Sequence, residues 1–258
     1  MKLPEGAKAL STWGGEGSRQ PSAHAVTRRL WACGLAAGLL AGVATGLAGE
    51  CVLGWFDPNL PPASIHAPAA EQRDRAALIR RAEIEQVALA LGLLGGIQGL
   101  ALGVAGGLAR RSVRAAALGG ASGLILGTGA ALVSSVGVMP YYMANRNLFG
   151  ESFHAPLLLH AALGVPLGAT GGLALGLGLG GWRRTVRATV GGLLGAALGT
   201  LLNEVVNAVL FPLSRTYQPL PDTWDSRVTS RVIVALFSAL LAVAAIAHDA
   251  PDDQPSAR

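Results

Sequence analysis

Six apolar runs, 30–49, 87–108, 115–136, 157–179, 188–211 and 232–247, dominate this sequence, and almost no charge interrupts them. The hydrocarbon core of a bilayer, about 30 Å thick, takes roughly 20 apolar residues in a helix. The first four runs meet this length without a charge, and the fifth meets it with one acid, Glu204. The sixth is shorter, and Arg231 at its start could snorkel outward and lengthen it. Lipid offers an open backbone no hydrogen-bond partner, so runs of this kind fold as helices. The expected fold class is therefore an all-α, polytopic transmembrane helix bundle of about six spans.

Composition excludes the main alternative. The chain is 51% hydrophobic and only 14% charged, whereas soluble domains carry about a quarter charged residues. Thirty-six glycines against 5% aromatic residues make the apolar mass a mixture of Leu, Ala, Val and Gly that allows close backbone contact. The net charge of +5 resides in arginines beside the apolar runs, so it points to membrane orientation and not to nucleic acid. Lysine occurs only at Lys2 and Lys8, a compositional bias that suggests a bacterial inner membrane. Cys33 and Cys51 lie too far apart along one helix for a disulfide, and no CxxC motif occurs.

Positive residues in short loops stay in the cytoplasm. Arg28 and Arg29 precede the first span, Arg110, Arg111 and Arg114 separate the second and third, and Arg183, Arg184 and Arg187 separate the fourth and fifth. Both termini are then cytoplasmic: a disordered tail over 1–29 that is poor in apolar residues, and an acidic tail over 248–258. The extracytoplasmic loops are 50–86, 137–156 and 212–231, and helix formers from Glu71 to Gln86 extend the second helix above the membrane. Trp55, Trp182, Trp224, Tyr141 and Tyr142 fall near the interfaces as belt anchors. Thr27 to Trp31 also resembles a twin-arginine export signal, whose cleavage would leave five spans.

An internal repeat argues against cleavage. Gly34, Gly38 and Gly42 align with Gly119, Gly123 and Gly127, and again with Gly191, Gly195 and Gly199. Likewise Gly95, Gly99, Gly103 and Gly107 align with Gly164, Gly168, Gly172 and Gly176. The chain thus reads as three tandem glycine-zipper hairpins in parallel duplication. Glycines four apart share a helix face and let another backbone approach. The groove serves packing within one bundle or, alternatively, contact with a homo-oligomer or other membrane subunits.

An acid inside the hydrocarbon layer is a functional candidate by default. Glu204 is that acid, with Asn203 and Asn207 beside it. The repeat aligns Asn207 with Ser135 and Glu50, so polar groups gather at one outer level, where Gln98 and His160 could join them. Two accounts compete: an outward polar cavity for an ion, proton or small solute, or an interfacial acid bonded to Arg231 or Asn207 that only sets helix registration. Glu151 and His154 have ExxH spacing, but a single such pair makes no metal site, and no catalytic motif or cofactor fingerprint occurs. The function expected is non-enzymatic: a structural or accessory membrane subunit, with a transporter or channel using the Glu204 cavity as the alternative.

Overall fold

The computed structural model describes residues 23–58, 60, 68–147, 154–212 and 218–248, with side chains from residue 27 onward. Of the tails expected over 1–29 and 248–258, residues 1–22 and 249–258 lie outside the described residues, as does Glu151 of the ExxH pair, whereas 23–29 are helical. Among the described residues six long helices follow one another: α1 Ala23–Cys51, α2 Ala69–Ala109, α3 Val113–Ala144, α4 His154–Leu179, α5 Trp182–Leu210 and α6 Trp224–Ala247. All six are long and apolar enough to cross a membrane, as a multi-pass membrane protein requires. The helices outrun the apolar segments of the sequence. With 41 residues, α2 is about 61 Å long at ~1.5 Å per residue, so its polar first half projects beyond any hydrocarbon layer.

Two tight turns join neighbouring helices at the arginine-rich end. After α2, the Ser112 amide donates to the Gly107 carbonyl and the Arg111 amide to Leu108, which is a Schellman cap. Arg111 occupies the left-handed position of this cap with φ 60, where glycine is usual. An L residue there costs roughly 1 kcal/mol, so the chain gives up stability to keep a cation at this corner. Ser112 then caps α3 by accepting a hydrogen bond from the Ala115 amide. The turn from α4 to α5 uses Gly180 and Gly181 instead, at φ 75 and φ 98.

Helices α2 and α4 are central. α3 packs on both of them, α1 packs on α2 and α6, and α5 lies between α4 and α6, so the last helix returns to the first. Small residues set the separations. A Cβ on Gly99 would meet the Gly123 carbonyl oxygen of α3 at 2.1 Å, and one on Gly123 would meet that of Gly99 at the same distance. Gly95 faces Gly127 and Gly103 faces Gly119 in the same way. On the other side, Gly168 and Gly172 of α4 meet α5 at Gly192 and Ala188, while Gly195 and Gly199 of α5 and Gly38 and Gly42 of α1 meet the backbone or Cβ atoms of α6. Every glycine expected to serve packing thus contacts another helix of the same chain.

The arginine-rich half is filled by Leu102, Ala105, Leu175, Ala188, Ala242 and Val243. A second cluster near the opposite end joins Val87, Met139, Tyr142, Leu159 and Leu163. The outer surface of the bundle is apolar, with Leu40, Ile125, Val133, Leu158 and Val209 exposed, the inverse of a soluble protein. Trp55, Trp182 and Trp224 are exposed as membrane anchors would be. Tyr142 is not an anchor: it is 0% exposed in the second cluster, whereas Tyr141 is 63% exposed, because consecutive helical positions point about 100° apart.

Candidate functional site

Polar side chains converge between α1, α4, α5 and α6 at the end opposite the arginine-rich turns. α6 supplies the arginines. Its sequence repeats Ser-Arg at Ser226-Arg227 and Ser230-Arg231, and spacing of four places the pairs one turn apart on one face. Helix formation from Trp224 onward carries both arginines into the bundle, where Arg227 and Arg231 are buried.

Arg227 is fully engaged. Its guanidinium grips Glu50 of α1 through Nε to Oε1 at 2.7 Å and Nη2 to Oε2 at 2.5 Å, while Nη1 donates to the carbonyls of Pro221 and Asp222. This paired fork is the strong form of a charge-assisted contact. Arg231 is arranged differently. Its Nη1 donates to the carbonyls of Thr45 and Gly46 on α1 at 2.7 and 3.1 Å, and among the described residues no carboxylate lies within ion-pair distance of it. It is a cation 6% exposed, held by hydrogen bonds to carbonyls alone, while the Glu50 carboxylate attracts it from beyond ion-pair distance.

Glu204, 5% exposed on α5, pairs with Nδ1 of His160 on α4. The other ring nitrogen, Nε2, lies 2.9 Å from the Gln218 carbonyl. A carbonyl only accepts, so Nε2 carries a hydrogen, and a single proton is left to bridge Nδ1 and the carboxylate. The partner of Glu204 is therefore His160, not Arg231 or Asn207. Asn207 instead accepts from the Ser226 hydroxyl at 2.9 Å and donates to Ser230 at 3.5 Å.

The segment Gln218 to Pro221 lies across this end like a strap, its carbonyls accepting from His160 and Arg227. Prolines at 219 and 221 lack N–H groups, which limits the strap's unsatisfied donors. Beneath it lies a cavity of about 80 Å³ reached by His160, Thr200, Asn203, Ser230 and Arg231, with Leu91, Leu94 and Val234 as apolar walls. That is room for a few waters or one solute of several heavy atoms. Asn203 is buried, and its Oδ1 has no hydrogen-bond partner among the described residues, an omission that calls for an occupant.

The expected site residues therefore divide into three groups. Glu204, His160, Asn203, Asn207 and Glu50 gather around α6. Ser135 does not join them: its hydroxyl donates to Ala131 of its own helix at 2.8 Å, and α3 packs only on α2 and α4 among the described helices. Gln98 is buried deeper, against Gly171 of α4, and neither of its amide atoms has a partner among the described residues. Sequence reasoning missed Arg227, Ser226 and Ser230, whose four-residue repetition was the available signal. No cluster of three metal-ligating side chains exists among the described residues, and Cys33 and Cys51 are free.

Family models, curated proteins and solved structures give no match to this chain. Its function is therefore argued from the geometry.

Proposed function

We propose that this is a non-enzymatic multi-pass membrane protein of the bacterial inner membrane, its arginine-rich turns and both termini cytoplasmic, which binds a small anionic solute in the cavity at its outer end. The observation that carries this is the meeting of Arg231, a buried cation with no carboxylate at ion-pair distance among the described residues, and Asn203, a buried amide whose oxygen has no partner among them, in one cavity with the hydroxyls of Thr200 and Ser230. Among the described residues Nε and Nη2 of Arg231 are free to donate while Oδ1 of Asn203 can only accept, so the complement of this site is a carboxylate-sized anion that carries a hydroxyl of its own. The ion pairs Glu50–Arg227 and Glu204–His160 hold the walls, so Glu204 acts as a positioning residue. Three tandem glycine-zipper hairpins supply the rigid frame. The apolar, tightly packed arginine-rich half favours binding, or a carrier closed on that side, over an open channel.

The test is thermal unfolding of the purified protein in nanodiscs titrated with acetate, lactate and nitrate. A ligand that binds only the folded state raises stability as its concentration passes Kd. A saturable rise in Tm with at least one of these anions, lost in Arg231→Gln, is expected. A flat response of the unaltered protein to all three would reject the solute site.

A second reading, that of a structural or accessory subunit, is favoured by α3. Its exposed face carries Ile125 and Val133 beside Gly129 and Gly137, and among the described residues no atom beyond the adjoining stretch of α3 lies within 4 Å of where a Cβ on either glycine would stand. These are the spare small-residue positions of the bundle, and a neighbouring subunit's helix could lie along them.

A further inference from the structure

The two tight turns and the start of α1 form a second concavity at the arginine-rich end. It has a volume of about 520 Å³ and is walled by Arg29, Arg110, Arg111 and Arg184 with Gly180 and Gly181. The arginines come from three separate parts of the chain. Among the described residues none of the four makes an ion pair, and no acid occurs in either turn. Orientation in the membrane requires only that positive residues lie on this side; it does not require that they face one another across a basin. Two backbone features hold them there. Arg111 takes a left-handed conformation that glycine would adopt more easily, and the Arg110 guanidinium lies over Gly180, where a Cβ would meet Nη1 at 2.6 Å.

We infer that this basin binds a phosphate-bearing anion, and that its ordinary source is the headgroup of an anionic phospholipid. Guanidinium groups pair with phosphate oxygens through two parallel hydrogen bonds, and four of them, unopposed by carboxylates among the described residues, exceed what one charge requires, which favours a headgroup with more than one phosphate. The rim points to lipid and not to a soluble compound. Leu108, Val113 and Trp182 beside the basin are exposed apolar side chains that acyl chains would cover, and basic pockets between spans on the cytoplasmic side are suited to such headgroups. The inference rests on the membrane reading above but not on the outer cavity.

The test uses the full chain in nanodiscs of phosphatidylcholine alone or with one-fifth cardiolipin, with bound lipid counted by native mass spectrometry and stability followed by thermal unfolding. Cardiolipin is expected to be retained and to raise Tm. The double variant Arg110→Gln/Arg184→Gln should weaken retention by about thirtyfold, on the scale of about 1 kcal/mol for each of the two arginines at an anionic surface. Arg28→Gln/Arg183→Gln removes equal charge from the same end without touching the basin and should weaken it far less. If Arg110→Gln perturbs folding, Arg184→Gln alone, an exposed position, keeps the comparison. Equal loss in both double variants would reduce the effect to general surface attraction and overturn the inference, as would no preference for cardiolipin. Stabilisation in phosphatidylcholine discs by glycerol phosphate would support the phosphate site and assign it a soluble source. Failure of the chain to enter discs at all would instead refute the membrane reading.

Discussion

The two ends of the bundle are held together by different physics. Toward the arginine-rich end, helices meet backbone to backbone through Gly103, Gly119, Gly172 and Gly178, and the remaining space is filled by Leu102, Leu175 and Val243. Toward the other end, α1, α4, α5 and α6 are joined by Glu50–Arg227, Glu204–His160 and the carbonyls that accept from Arg231. Contacts of the first kind depend on fit and cost little desolvation. Contacts of the second kind bury charge, which replacement by apolar residues often improves upon. A chain able to pack six helices by glycine contact has no structural need for buried arginines. Their retention around a cavity is the reason to assign binding to that end.

Several substitutions would break or sharpen this contrast. The largest effect is expected from Gly103→Leu, since even a Cβ would meet the Gly119 carbonyl oxygen at 2.1 Å. Overpacking of a core costs about 1–3 kcal/mol when neighbours can shift, and here the neighbour is backbone, so little folded protein should be recovered in size-exclusion chromatography. Arg227→Ala comes next. It strands the Glu50 carboxylate and the carbonyls of Pro221 and Asp222, and loss of about 3–5 kcal/mol is expected in thermal unfolding. Pairing it with Glu50→Gln should restore part of this, and the double-mutant cycle reports their coupling directly.

Glu204→Gln should cost less, about 1–2 kcal/mol, because the amide still hydrogen-bonds His160 although the shared proton is gone. The smallest effect belongs to Gly129→Leu, whose Cβ would stand in open space. Stability of the single chain should change by no more than about 1 kcal/mol. Dissociation of an oligomer in that variant, measured by light scattering in detergent, would shift the balance to the accessory-subunit reading.

How much of this was legible in the sequence follows from the same contrast. Glycine spacing is a one-dimensional pattern, so the faces of Gly95 to Gly103 and of Gly195 and Gly199 could be read before any partner helix was known. Their pairings could not, because α2 meets α3 across a three-residue corner while α6 returns to α1 from the far end of the chain. The polar end was half legible. An acid within an apolar run marks itself, as Glu204 does, but its partner His160 is 44 residues distant. The true start of α6 at Trp224 lies inside a stretch whose mixed charge reads as loop. Arg227 was therefore assigned to an exterior loop although it is buried against Glu50. Ser135 erred in the opposite direction: a repeat aligns positions along helices, but α3 sits on the other side of α2 and α4, so equal depth did not bring it to the same place.

The central claim is that the cavity under the strap is an anion site, and it is tested most directly by a structure of the protein in a lipid nanodisc at a resolution that shows small solutes. The account predicts non-protein density within hydrogen-bond distance of Arg231 and Asn203, absent when Arg231→Gln is imaged under the same conditions. A collapsed cavity, with Asn203 bonded to the Arg231 guanidinium and no density between them, would contradict it.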